Sequence, residues 1–149
     1  MIAALALAAA AAPTLDSMRA IEGAWTHKGV RAEYRFISNQ SALVESWRSP
    51  SGRETMTVYF MDGRTLLATH YCAQGNQATL ALTDSAPRRW TFRLSRATGV
   101  DPGEGLLVEL VLEARPEGLR RIETYRSGKK DDTTVYDFSK SVAGKRLAD

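Results

Sequence analysis

The feature that most constrains this 149-residue chain is the spacing of its turn signals. Ser38-Asn39, Pro50-Ser51-Gly52, Asp62-Gly63, Gly75-Asn76, Ser85-Ala86-Pro87, Asp101-Pro102-Gly103, Pro116-Glu117-Gly118 and Ser127-Gly128 interrupt it from about a quarter of the way in to near its end. Gly, Pro, Asn and Asp punctuate a chain because each favours a backbone conformation that helices and strands lack. Between the interruptions lie short runs rich in β-branched and aromatic residues: Arg31–Ser38, Ala42–Arg48, Thr55–Met61, Thr65–Cys72, Ala78–Thr83, Arg89–Ser95, Leu106–Ala114, Leu119–Arg126 and Thr133–Phe138, with a shorter one at Trp25–Lys28. Short strands at about 8–12-residue spacing argue a sandwich or a barrel. Almost every link is hairpin-length and no helix intervenes after Gly23. The expected fold is therefore all-β, an antiparallel up-and-down β-barrel of about 8–10 strands with a short N-terminal helix.

The densest set of unusual polar residues lies in the hairpin Glu54–Gln77. Asp62-Gly63 between two β-favouring runs predicts a type I′ turn, which needs φ > 0 at both central positions. Successive strand residues point to opposite faces. Thr57, Tyr59 and Met61 thus oppose Met56, Val58 and Phe60, and Leu66, Ala68, His70 and Cys72 oppose Leu67, Thr69 and Tyr71. Neither face is plainly polar, so inside and outside stay open here. Elsewhere the inward sets are legible. They are Ala32, Tyr34 and Phe36; Trp90, Phe92 and Leu94; and Leu106, Val108, Leu110 and Leu112. Leu43, Glu45 and Trp47 share a face, which brings a carboxylate onto an otherwise apolar side.

The start of the chain differs in kind. Ile2–Ala12 is an alanine-rich apolar run, too short for the roughly 20 residues a membrane-spanning helix needs. With Ala9-Ala10-Ala11 as a cleavage site it fits a secretory leader, which predicts a periplasmic or secreted protein. No Lys or Arg precedes the run, and a buried N-terminal helix is the other reading of the same composition. Residues 13–149 then form a single domain, large enough for a core without disulfides. Asp16 or Ser17 is expected to cap a helix carrying Leu15, Met18 and Ile21 on its apolar side. Net charge is +3, with Lys and Arg interspersed among Asp and Glu, so no basic stripe for nucleic acid is expected. Cys72 is the sole cysteine and excludes an intrachain disulfide.

A short helix, then Gly23-Ala24-Trp25, then a β-meander resembles the calycin superfamily of lipocalins, fatty-acid-binding proteins and nitrobindin-like barrels. In that superfamily a G-x-W tripeptide opens the first strand, and its Trp closes one barrel end, often under an Arg from a late strand. The resemblance implies structural roles for Gly23 and Trp25, with Arg126 as the covering Arg and Arg120 and Arg121 as its rivals. The segment Thr69–Gln77, THYCAQGNQ, also looks like one found in uncharacterised lipocalin-like bacterial secreted proteins. Nitrobindin-like members hold haem through a late-strand histidine. No histidine follows His70 here, so haem in that mode is not expected, nor any other cofactor.

His70 and Cys72 sit two apart on one strand face, about 6.5–7 Å from each other, too far for a Cys–His nucleophilic pair. Together with His27 they make too small a set for a metal site. The expectation is thus a non-catalytic barrel binding a small apolar or amphipathic molecule through Tyr34, Phe36, Glu45, Trp47, Tyr59, His70, Trp90 and Phe92. A polar cluster of Glu45, Tyr59, His70, Asn76 and Gln77 would sit at its mouth. The competing readings are an interaction module with a filled core, and a haem protein or enzyme using His70.

Overall fold

The computed structural model describes residues 12–141, so the leader-like run lies, but for its last residue, outside the described residues. A 3-10 helix, Leu15–Ile21, opens the chain. Ten strands follow: β1 Gly23–His27, β2 Val30–Ile37, β3 Ala42–Arg48, β4 Glu54–Asp62, β5 Thr65–Tyr71, β6 Gln77–Ala86, β7 Arg89–Thr98, β8 Leu106–Arg115, β9 Gly118–Ser127 and β10 Lys130–Lys140. Each pairs antiparallel with its sequence neighbours, and β1 pairs with β10, closing an up-and-down barrel. The closing seam is short, with only Trp25↔Lys140 and Thr26↔Ser139 in register. From Lys130 to Phe138, the ladder partner of β10 is β9 alone, and β1 reaches it only through His27, whose Nδ1 lies 2.7 Å from Asp137 O.

Alternation decides which side chains enter. On β2, Val30, Ala32, Tyr34 and Phe36 are buried while Arg31, Glu33 and Arg35 are exposed. The hairpin faces left open by the sequence resolve the same way: Thr57, Tyr59, Leu66, Ala68 and His70 point inward. Three details depart from expectation. The β4–β5 turn is centred on Gly63-Arg64, one residue later than predicted, with Asp62 opposite Thr65. Only Gly63 of the two has positive φ, +57°, which is the glycine-first pattern of a II′ turn. On β8 a bulge between Leu107 and Glu109 shifts the inward set to Leu107, Leu110 and Leu112, leaving Leu106 and Val108 half-buried. The last strand begins at Lys130, three residues before the expected Thr133, and its Asp131 pairs with Arg126.

The two barrel ends differ. The 3-10 helix covers one end, burying Leu15, Met18 and Ile21. Its N-cap is Thr14, two to three residues before the expected Asp16 and Ser17, and no side chain caps it. Indole N–H groups pin it from two sides: Trp25 Nε1 donates to Ile21 O at 2.8 Å and Trp90 Nε1 to Ser17 Oγ at 3.0 Å. Tyr34, Phe36, Tyr59 and Phe92 fill the barrel behind it at 8% exposure or less. The other end carries the β1–β2, β3–β4, β5–β6, β7–β8 and β9–β10 links and is open.

Arg126 does not cover Trp25. It lies opposite Asp131, nine residues along β10 from the Lys140 that pairs with Trp25, or about 30 Å at the rise of a strand. Lys140 takes the covering position instead, its Nζ 5.0 Å from the Trp25 ring centroid. No described helix is long and apolar enough to cross a membrane.

Candidate functional site

The open end carries a cavity of ≈ 400 Å³. Its walls include Trp47 from β3, Cys72 after β5, Glu123 and Tyr125 from β9, and Asp132 and Tyr136 from β10. Alternation explains the β9 contribution. With Leu119 turned into the core, Arg121, Glu123, Tyr125 and Ser127 must follow it inward. Trp47 and Tyr136 meet edge to face at 6.1 Å, and Tyr136 stacks on Phe138 at 5.8 Å.

Beneath the cavity lies a buried polar network. Arg121 is 1% exposed and pairs with Glu45, which is 0% exposed. The Arg121 Nε donates to Glu123 Oε2 at 3.1 Å, so one guanidinium serves two carboxylates. Tyr59 donates its hydroxyl to Glu45 Oε2 at 2.8 Å, and Thr57 Oγ1 donates to Glu45 Oε1 at 3.3 Å. Thr57 Oγ1 also lies 3.0 Å from His70 Nδ1, and His70 Nε2 lies 3.0 Å from the Tyr125 hydroxyl. An isolated charge costs several kcal/mol to bury, so the presence of Glu45 in this interior demands Arg121.

Burial and neighbouring charge set the protonation states. Burial opposes the Arg121 charge, yet Glu45 and then Glu123 outweigh it and hold the guanidinium firmly protonated. Burial, reinforced by Glu45, raises the Tyr34 and Tyr59 hydroxyls well above 10. Burial also raises Tyr125, with Glu123 adding to it. His70 falls from 6.5 to about 4, first through burial and then through Arg121, so the imidazole is neutral at physiological pH. The unfolded chain therefore binds this proton more readily than the fold does. Stability is full above pH 6.5 and falls as the pH drops toward 4, by at most about 3 kcal/mol at roughly 1.4 kcal/mol per pH unit. Urea unfolding across that range is expected to show the loss in the native sequence and to miss it in His70→Gln. An equal loss in both would assign the effect elsewhere.

The structure gathers Tyr34, Glu45, Tyr59 and His70 into this network and places Trp47 in the cavity wall. It does not bring Phe36, Trp90 and Phe92 to the cavity. They pack in the core, Trp90 and Phe36 against the helix at Ser17 and Arg19 and Phe92 against Tyr59, so side chains fill the space a ligand would need. The expected mouth cluster divides as well. Asn76 ties the β5–β6 turn to the β7–β8 loop through Glu104 Oε2 at 3.0 Å and Gly105 O at 3.2 Å. Gln77 bonds Gly75 O and Thr98. Arg121, Glu123, Tyr125 and Tyr136 were not anticipated in these roles. The signal for Arg121 was Glu45 itself, a carboxylate on an apolar face that needs a cation on another inward face.

Cys72 is half-buried, and its Sγ faces Gln74 Nε2 at 3.6 Å. Both His70 ring nitrogens are occupied by Thr57 and Tyr125, so His70 does not activate the thiol. Among the described residues no group of three or more His, Cys, Asp or Glu is placed to hold a metal ion. A second depression of ≈ 480 Å³ lies near Ser46, Met56 and Tyr71, with Arg31 and the exposed Arg48–Glu54 ion pair in its wall. No protein-family model, curated protein or solved structure matches this chain.

Proposed function

We propose that this chain is a calycin-like barrel that binds a small amphipathic molecule in its open mouth, without catalysis. The observation that carries the reading is the ≈ 400 Å³ cavity walled by Trp47, Tyr125 and Tyr136 above a fixed polar network. Ligand sites of this kind run from about 300 to 1,000 Å³, are largely preformed, and favour barrel mouths. Trp47 adds a buried indole N–H that has no hydrogen-bond partner among the described residues. Buried donors are normally paired, so an acceptor on the ligand would complete this one. The alanine-rich run before Pro13 supports a periplasmic or secreted setting.

A second reading, interaction with another protein, is favoured by Met56 and Tyr71. They are 39% and 42% exposed and lie opposite each other across β4 and β5. Cys72 separates the two readings because it lines the mouth and not the outer face. A ligand seated in the mouth is expected to slow alkylation of Cys72 by iodoacetamide several-fold, and Trp47→Ala to abolish that protection. If amphipathic small molecules from an extract of the source organism never protect Cys72, the mouth is not the binding site.

A further inference from the structure

The hydrogen bonds beneath the mouth have a direction. Glu45 is a carboxylate and can only accept, so Thr57 donates to it. A hydroxyl has one proton. Having spent it on Glu45, Thr57 Oγ1 must accept from His70 Nδ1, which fixes the neutral ring as the Nδ1–H tautomer. His70 Nε2 is then a bare acceptor, and the Tyr125 hydroxyl must donate to it. Tyr125 therefore has no proton left for the mouth. What it turns to a ligand is lone pairs.

The rest of the wall agrees, except for the Trp47 indole N–H, which asks for one acceptor on the body of the ligand or on a water. Glu123 already accepts from Arg121 Nε, yet its two oxygens offer about four acceptor sites. Asp132 stands at the rim with no ion pair among the described residues. Arg121 is shared between Glu45 and Glu123, so the interior carboxylates outnumber the interior guanidinium. The lining's one cation, Arg53, is exposed on the β3–β4 link, where solvent screens it. The faces of Trp47 and Tyr136 attract cations in their own right.

We propose that the mouth selects a ligand bearing an ammonium group, an amine on an aromatic or short apolar body, with the N–H donors directed at Glu123 and Tyr125 and the body against Trp47 and Tyr136. The proposal rests on the mouth being the binding site. It adds a charge sign to that site and disfavours fatty acids and other carboxylates.

Phenethylamine, 2-phenylethanol and 3-phenylpropionate share a body and differ in the head, so isothermal titration of the full chain with all three isolates the head group. The amine is expected to bind at least tenfold tighter than the carboxylate, with the alcohol between them. Glu123→Gln should cut the amine's advantage over the alcohol severalfold and leave alcohol binding near its native value. Tyr125→Phe, which removes the acceptor but keeps the ring, should weaken the amine more than the alcohol. Circular dichroism of both variants confirms the fold before titration. Equal binding of all three, or preference for the carboxylate, overturns the ammonium assignment and leaves the mouth as a site. Binding of none, with Cys72 alkylated at its free rate throughout, overturns both.

Discussion

Arg121→Met is expected to cost about 3–5 kcal/mol of stability, the range seen when one member of a buried ion pair is removed. The cause is the charge left behind. Glu45 is fully buried, and without Arg121 it keeps only the Thr57 and Tyr59 hydroxyls to offset its lost hydration. Adding Glu45→Gln to Arg121→Met should recover a good part of the loss, because the amide carries no charge, its oxygen still accepts from one hydroxyl and its NH2 can donate to the oxygen of the other. Urea denaturation of the two variants beside the native chain measures this directly. A single-variant loss below about 1 kcal/mol would mean that water reaches Glu45 and that the network is not sealed.

Gly118→Ala is expected to be at least as damaging, about 4 kcal/mol or more, through sterics alone. A Cβ at Gly118 would fall well inside contact distance of the Phe138 carbonyl oxygen, with the carbonyl carbon at 3.4 Å. The obstacle is backbone, so no side chain can rotate away, and β9 and β10 would have to separate where Leu119 pairs with Phe138. Gly63→Ala is the control. Gly63 has open space around its Cβ position and only a positive φ to forbid substitution, which costs about 1–2 kcal/mol. Thermal unfolding should rank Gly118→Ala clearly below Gly63→Ala. The reverse order would show that the β9–β10 ladder yields more easily than its register implies.

The sequence makes the architecture legible because alternation and turn chemistry are local properties. Ala42–Arg48 is read to the residue, and most other strand limits to within a few. The inward faces of β2 and β7 follow from a strict polar–apolar period. On β8 that period fails at the bulge, since an extra residue in a ladder is set by the partner strand and not by its own sequence. The candidate site was only half legible. Glu45 and His70 stand out because a polar residue on an inward face is conspicuous. Arg121 does not, since β9 carries Arg120, Arg121 and Arg126 and only pairing tells which of them is inside. The exposed partners Asp137 and Asp131 take up the other two. The open volume could not be placed from sequence either, because how far a short helix penetrates a barrel depends on packing between distant strands.

The barrel closes on two residue pairs between its first strand and its last, Trp25↔Lys140 and Thr26↔Ser139. Every other ladder joins consecutive strands and can zip from a nearby hairpin. This one needs the two ends of the described chain to find each other, and almost all the loop entropy of the fold is spent there for very few hydrogen bonds. In the time course of folding, a curled meander should exist before the seam does. The same seam is the natural line of sub-global opening. Tyr136 and Asp132 ride on the stretch of β10 that lies beyond it, where β1 adds only the His27 contacts, so opening of the seam loosens the side of the mouth they form.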